Sequence, residues 1–178
     1  MTREDKLIQQ IEEGDSRAVD ELVGIYYPEI LRYCLWHAPD RSVAEDAAQE
    51  TFLKAIRYFD RYVHRGKFKA FLYQIASNTC VDMQRKKYLT DVSYETLNAE
   101  FAYSEKGFDE IHSDLVLKQL IRRLPEETQE IVILRFGQDL TMREIAWITG
   151  LPLRTVQSRL RSALKNLKKE FEEGGNHE

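Results

Sequence analysis

The sequence has few of the residues that break or constrain a polypeptide chain. Its 178 residues include eight glycines, four prolines and two cysteines. Sparse glycine and proline, together with the absence of sustained alternation between apolar and polar residues, argue against a β-rich fold. Every apolar run stays well below the roughly 20 residues that a membrane-spanning helix needs. The composition therefore predicts an almost entirely helical protein that does not insert into a membrane.

The rarity of cysteine and histidine limits the chemistry that the chain can carry. Cys34 and Cys80 lie outside any CxxC pair and in apolar helical segments, so we expect reduced core thiols. The four histidines are scattered without metal-ligand spacing, and no nucleophile–base pair or phosphate-binding loop occurs. We therefore predict no enzymatic activity, no metal and no cofactor. Residues 1–10 lack the apolar core of a secretory signal, which favours a cytoplasmic protein.

Charge is distributed unevenly along the chain, whose formal net charge is -4. Residues 54–87 contain nine basic and two acidic residues, and residues 152–169 contain six basic and no acidic residues. A basic segment within an acidic protein indicates a polyanionic partner such as nucleic acid.

The stretch from 141 to 169 predicts a helix-turn-helix. Thr141 and Glu144 form a T-x-x-E capping box that starts a helix. Gly150 suits the left-handed residue that ends it, and Pro152 suits the first turn of a second helix. The alternative is an ordinary helical hairpin with a solvated basic face. Apolar residues at helical spacing predict a buried stripe on the second helix: Val156, Leu160, Ala163, Leu164, Leu167 and Phe171.

The first half of the chain predicts a helical bundle. Helices are expected over 3–13, over 16–37, from a Ser42–Glu45 capping box to about Phe59, and over about 70–88. The residues expected to face inward from the third helix are Val43, Ala47, Phe52, Ala55 and Ile56. Those expected to be buried by the fourth helix are Phe71, Leu72, Ile75, Ala76, Cys80, Val81 and Met83.

Residues 89–114 are acidic and lack a sustained helical period, which is typical of a linker. They are either a flexible connector or an extended acidic segment that docks in a basic channel of a partner. The linker would separate a first domain, residues 1–88, from a second domain, residues 115–173.

Three blocks of the sequence resemble conserved regions 2 and 4 of the extracytoplasmic-function (ECF) sigma factors of bacterial RNA polymerase. They are VAEDAAQETFLKAI (43–56), FKAFLYQIASNTCVDMQRKK (68–87) and LPEETQEIVILRFGQDLTMREIAWITGLPLRTVQSRL (124–160). The resemblance implies an all-α protein in which a region 2 bundle and a region 4 helix-turn-helix flank the acidic linker. It also implies a promoter-specificity subunit that binds core polymerase, recognises the -10 and -35 elements and is controlled by an anti-sigma factor. The alternative is a stand-alone helix-turn-helix regulator that uses residues 115–171 alone.

The resemblance assigns polymerase binding to the helix at 43–56, which would contact the clamp coiled coil of the β′ subunit; the β subunit is a further expected contact. An acidic face with an apolar anchor suits a basic partner. The alternative is a plain solvated helix face. The implied contact residues are Asp46, Gln49, Glu50 and Phe52.

The resemblance assigns the -10 element to the loop at 58–69 and to the helix that follows it. Reading a base there requires unstacking it, and aromatic and cationic side chains offset that cost. Phe59 and Phe68 are expected to be core residues instead. The implied loop residues are Tyr58, Arg61, Tyr62, His64, Arg65, Lys67 and Lys69. The implied helix residues are Gln74, Asn78, Asp82, Arg85 and Lys86.

The resemblance assigns the -35 element to the helix-turn-helix. Thr141 and Arg143 suit phosphate contacts. The chain departs from the usual family pattern at Arg154, Gln157 and Ser162, so the family's -35 preference does not transfer to it. The implied base-facing or phosphate-facing residues of the second helix are Arg154, Thr155, Gln157, Ser158, Arg161 and Lys165.

Overall fold

A computed structural model of the protein describes residues 1–90 and 116–175, and these residues form helices joined by short turns. No strand occurs within those two ranges, in agreement with the predicted all-α class. The chain divides into two compact units, Met1–Asn98 and Ala99–Glu178. The predicted linker lies outside the described residues except for its first two positions, which still belong to the fourth helix.

The first unit is a bundle of four α-helices with a short 3₁₀ turn. The elements are α1 (Arg3–Glu12), α2 (Ser16–His37), α3 (Arg41–Arg57), the 3₁₀ turn (Phe59–Arg61) and α4 (Phe68–Thr90). The chain packs α1 on α2, and α2, α3 and α4 all on one another. Small residues on α3, namely Ala44, Ala47, Ala48 and Ala55, are buried where the neighbouring helices approach it.

Aromatic and aliphatic side chains fill the centre of this bundle. Tyr33 of α2 meets Tyr73 of α4 edge to face, with ring centroids 5.5 Å apart. Both rings are buried, as are Ile30 and Leu72. Edge-to-face pairs of this kind add to the free energy of burial by about 0.5–1.5 kcal/mol. The predicted bundle is therefore present, and its core lies among α2, α3 and α4.

Helix starts in the first unit are set by side-chain caps that differ in part from those expected. Asp15 caps α2 by accepting from the Arg17 amide at 2.9 Å, and Gly14 before it takes a φ of +92°. The predicted Ser42–Glu45 capping box is wrong. The carboxylate of Asp40 accepts from the amide of Val43 at 2.9 Å, so α3 starts before Ser42.

The helical spacing assigned two residues of this unit to the wrong side. Ile56 of α3 is 51% exposed and Val81 of α4 is 45% exposed, although both were expected inward. The bundle buries only part of each helix surface, so a residue at helical spacing can lie at the edge of the buried stripe.

The second unit contains the predicted helix-turn-helix. Its elements are α5 (116–122), α6 (Glu126–Val132) with a π-helical extension (Ile133–Gly137), α7 (Met142–Thr149) and α8 (Leu153–Gly175). The Thr141–Glu144 capping box is present, with Thr141 Oγ1 accepting from the Glu144 amide at 3.2 Å. Gly150 takes the left-handed conformation, with φ +72°.

The core of the second unit confirms the first half of the predicted stripe on α8. Val156, Leu160 and Ala163 are buried against α6 and α7. Leu164 and Phe171 were expected in the same stripe, but they are 44% and 72% exposed. The packing of α6 and α7 covers the start of this long helix, and the amphipathic pattern continues beyond that cover.

Candidate nucleic-acid and protein interfaces

A polar groove between α3 and α4 brings together two of the predicted sets of contact residues. Asp46, Gln49 and Glu50 of α3 line one wall, while Asp82 and Arg85 of α4 line the other. The groove has a volume of about 550 Å³. Lys86 also lines it and is exposed. The side chains predicted to contact polymerase and those predicted to contact the -10 element therefore share one surface.

Phe52 does not belong to that surface, which corrects its assignment as a polymerase contact. Its side chain is only 7% exposed and stacks on Tyr27 of α2, with ring centroids 5.9 Å apart. The next residue, Leu53, is 57% exposed and lines the groove. Because successive residues on a helix point about 100° apart, the exposed apolar side chain on this face is that of Leu53 and not that of Phe52.

Lys54 joins the two walls of the groove. Its ammonium donates to the hydroxyl of the buried Thr79 at 3.3 Å and lies 3.9 Å from a carboxylate oxygen of Asp82. An unpaired carboxylate beside DNA would repel phosphate, and the neighbouring ammonium offsets that repulsion. This pairing could not be predicted from the sequence, because Lys54 and Asp82 lie on different helices.

The remaining predicted residues of α4, Gln74 and Asn78, lie on the same face of the helix as Asp82 and Arg85. Gln74 is half-buried, and Asn78 and Arg85 are exposed. Together with Asp82, they recur every three or four positions along one face of the helix.

The loop between α3 and α4 is held by an aromatic cluster. Tyr62 stacks on Phe71 with ring centroids 4.7 Å apart, and it also meets Phe59 and Phe68. Phe68 is buried and Phe59 is half-buried, in line with the core role expected for both. Burial raises the pKa of Tyr62 to about 12, so its hydroxyl keeps its proton at neutral pH.

A hydrogen-bonded chain fixes this loop to α1. Asp5 Oδ1 lies 2.6 Å from His64 Nε2, and His64 Nδ1 lies 2.8 Å from the Tyr62 hydroxyl. The hydrogen bonds from His64 and from Thr2 hold the pKa of Asp5 well below its usual range, so the carboxylate accepts from Nε2. In the neutral imidazole, the Tyr62 hydroxyl then donates to Nδ1.

The predicted -10 residues of the loop divide into two groups. The polar atoms of Tyr62 and His64 are engaged within the bundle, and the Lys69 ammonium lies 3.4 Å from the Glu29 carboxylate of α2. These three side chains therefore have partners within the first unit, and their contacts with DNA stay predictions. The exposed members are Tyr58, Arg61, Arg65 and Lys67. The guanidinium carbon of Arg61 lies 5.6 Å from the centre of the Tyr58 ring.

The predicted -35 residues of α8 lie on the side of the helix opposite its buried residues. Thr155, which is half-buried, is the least exposed residue of this set. The exposed residues of this set are Arg154, Gln157, Ser158, Arg161 and Lys165. Thr141 and Arg143, at the start of α7, are exposed as well. A helix that presents amide, hydroxyl and guanidinium groups in this way has the chemistry needed to read base edges in a major groove.

Two further features of the second unit were not anticipated from the sequence. Arg159, counted among the basic residues of α8, pairs with Glu127 of α6 and is half-buried, so its charge stabilises the unit internally. Trp147 of α7 is 51% exposed. Its position on the short apolar helix gave no signal that it would face outward.

Family models match both units of the chain. The model of sigma-70 region 2 matches residues 22–89, and that of sigma-70 region 4 matches residues 114–167. The chain thus belongs to the sigma factors of RNA polymerase, and its two units correspond to regions 2 and 4.

Individual relatives place it within a narrower class. The ECF RNA polymerase sigma factor SigW of Bacillus subtilis is 29% identical, over 93% of this chain and 95% of SigW. The RNA polymerase sigma-H factor of Pseudomonas aeruginosa is 31% identical, over 89% of this chain and 88% of that protein. The protein is a member of the ECF sigma factors, which serve as promoter-specificity subunits of RNA polymerase.

Solved structures show the same fold. CnrH, in complex with the cytosolic domain of CnrY, matches with a TM-score of 0.70 at 20% identity, over 93% of this chain and 95% of CnrH. The sigma factor RpoE of Bartonella quintana, in complex with the anti-sigma factor NepR, matches with a TM-score of 0.65 at 19% identity, over 86% of this chain and 96% of that one. Within the part of the chain that the structure describes, every helix falls short of the length or apolarity needed to cross a bilayer.

Proposed function

We propose that different surfaces of this sigma factor bind core polymerase and the two promoter elements. The outer face of α3 binds core polymerase, the 58–69 loop and α4 engage the -10 element, and α8 reads the -35 element. The observation that carries the proposal is the position of the predicted contacts on α8, which lie exposed on the face opposite the buried residues Val156, Leu160 and Ala163.

Polymerase binding is assigned to Asp46, Gln49 and Glu50 together with Leu53. The two carboxylates provide charge that attracts a basic partner, and the exposed leucine provides apolar area that is desolvated on binding. The proposed partner is the coiled coil of the β′ clamp, with the β subunit as a second contact.

The -10 element is assigned to exposed groups in the loop and on α4. Tyr58 provides a ring on which a base can stack, and Arg61 beside it provides positive charge. Asn78 and Arg85 present groups that pair with base edges, while Lys86 suits phosphate. Tyr62, His64 and Lys69 hold the loop in place from within the bundle.

Control by an anti-sigma factor is part of the proposal. RpoE of Bartonella quintana, which shares the fold, was solved bound to the anti-sigma factor NepR. A protein that covers the α3 face or the α8 face would block polymerase or promoter. The sigma subunit itself acts in the cytoplasm and carries out no catalysis, because the partner polymerase joins the nucleotides.

The proposal is tested by transcription with purified core polymerase and genomic DNA fragments. We expect added protein to create new start sites preceded by shared -10 and -35 sequences. Substitution of Asp46 and Glu50 by lysine should abolish both core binding and these start sites. Unchanged start sites with that variant would contradict the role assigned to α3.

A further inference from the structure

Two buried cysteines from different helices of the first unit face each other. Neither Cys34 of α2 nor Cys80 of α4 is in a disulfide bond, and their sulfur atoms lie 3.9 Å apart. They are 46 residues apart in the sequence, so the packing of α2 on α4 brings them together. Neither belongs to the surfaces proposed for polymerase or promoter, which leaves the pair without a role in transcription initiation.

The two thiols differ in how accessible they are to small molecules. Cys34 is fully buried, whereas Cys80 is 6% exposed. Cys80 also lines a small cavity of about 20 Å³, together with His37, Val43 and Ala47. A cavity of that size holds about one water-sized molecule. A small uncharged oxidant therefore has space beside Cys80, whereas Cys34 is fully buried.

We propose that Cys34 and Cys80 form a site of oxidative modification by hydrogen peroxide, completed by a disulfide between α2 and α4. In the first step, the Cys80 thiolate attacks one peroxide oxygen and the O–O bond breaks. Cys80 becomes a sulfenic acid, and the departing oxygen leaves as water after taking up the proton of the thiol.

The second step uses the neighbouring thiol. The sulfur of Cys34 attacks that of Cys80, the S–O bond breaks, and the hydroxyl group leaves as a second water with the proton of Cys34. The two sulfurs together lose two electrons, and these reduce one hydrogen peroxide to two waters.

The geometry suits this closure. A disulfide bond measures about 2.05 Å, so sulfurs that already lie 3.9 Å apart must approach further. Rotation of the Cys80 side chain about its Cα–Cβ bond moves the sulfur without moving the helix, and the adjoining cavity gives it room. The resulting link would tie α2 to the helix that carries the proposed -10 contacts, and would constrain the unfolded chain.

The experiment treats the folded, reduced, full-length protein with hydrogen peroxide. The intact mass should fall by about 2 Da, for the two hydrogens lost, and digestion without reductant should give a Cys34–Cys80 cross-linked peptide. The melting temperature should rise by at least about 5 °C and return to its initial value with dithiothreitol. Cys34→Ala should stop at the Cys80 sulfenic acid, which dimedone traps. Cys80→Ala should resist oxidation.

Three results would overturn the proposal. The disulfide could form only after the protein is unfolded in urea, or the cross-links could join separate molecules. Alternatively, Cys80→Ala could be oxidised at Cys34 as fast as the wild-type protein, which would remove the assigned order of reaction.

Discussion

At the scale of single residues, two neighbouring side chains on α3 have opposite surroundings. One is therefore expected to contribute to stability and the other to binding. Phe52 packs on Tyr27 in the bundle, and Leu53 faces the groove. Phe52→Ala should lower the free energy of unfolding by about 3–5 kcal/mol, because it leaves a cavity in a packed core. Leu53→Ala should change stability little and weaken binding to core polymerase by about tenfold, corresponding to loss of an apolar anchor.

The matched measurements are urea unfolding and affinity for core polymerase, made on both variants. Loss of polymerase affinity in a fully folded Phe52→Ala variant, with Leu53→Ala unaffected, would reverse the assignment.

Reversing the charge of Arg161 tests the proposed -35 surface. The Arg161 side chain is exposed on the side of α8 opposite the buried residues Val156, Leu160 and Ala163. Arg161→Glu should reduce transcription from -35-dependent promoters by roughly tenfold or more, since one DNA contact is worth about 1–3 kcal/mol and the new charge repels phosphate. Core binding should be unchanged.

Arg122→Glu is the control, because it makes the same change of charge at an exposed position of α5 outside the proposed surface. Equal losses in the two variants would show an effect of net charge alone, and loss of core binding by Arg161→Glu would contradict the separation of roles.

The hydrogen bond from His64 to Asp5, which attaches the 58–69 loop to α1, should weaken in acid. The pKa of Asp5 lies below the ordinary value of 3.8, so its ionised form is favoured by folding. Its contribution to stability is complete above about pH 4 and is lost as the pH falls further. Asp5→Asn should therefore destabilise the protein near neutral pH, and its stability should converge on that of the wild-type protein in acid. Unfolding in urea at a series of pH values measures this; a difference that widens in acid would have the wrong sign.

At the scale of elements, Lys54 connects α3 with α4. Lys54→Met keeps most of the aliphatic stem but removes the charge near Asp82. We expect weaker opening of the -10 region, because the uncompensated carboxylate repels the DNA backbone. A double-mutant cycle with Asp82→Asn should give a coupling energy of about 0.5–1 kcal/mol. Lys54→Arg should retain most of the activity. Strictly additive effects of the two substitutions would show that the pair is not coupled.

The element scale also shows how far the sequence could predict the fold. Local signals succeeded where the chain itself supplies the partner, as in the Thr141–Glu144 box and the left-handed Gly150. The Ser42 box failed because Asp40, two residues earlier, provides a competing cap. Leu164 and Phe171 were misplaced because spacing shows which residues share a face, but not where the covering helices end.

The residues of the candidate site could be predicted from the sequence more readily than the contacts that their side chains make. The exposed residues of α8 follow from helical periodicity and charge. The contacts of His64 with Asp5 and of Lys69 with Glu29 could not be predicted, because the partners lie 59 and 40 residues away in the sequence and meet only through packing. Together with the Tyr62–His64 hydrogen bond, those contacts fix three of the predicted DNA-contacting side chains to the rest of the first unit.

At the scale of the whole molecule, the two helical units present surfaces of different charge. The region 2 unit presents the acidic face of α3 and the basic surroundings of the 58–69 loop, and the region 4 unit presents the basic face of α8. A formal net charge of -4 conceals this separation. The separation explains why a protein that is acidic overall can engage both polymerase and promoter DNA.

The central claim is that this protein selects promoters as a subunit of RNA polymerase. The most direct test compares promoter binding and start-site formation by the protein alone, by core polymerase alone and by the two together. We predict specific start sites, and protection of both the -10 and -35 elements, only when protein and core polymerase are combined. Equally specific binding to promoter DNA by the protein alone, with no start sites when polymerase is added, would contradict it and support a stand-alone regulator.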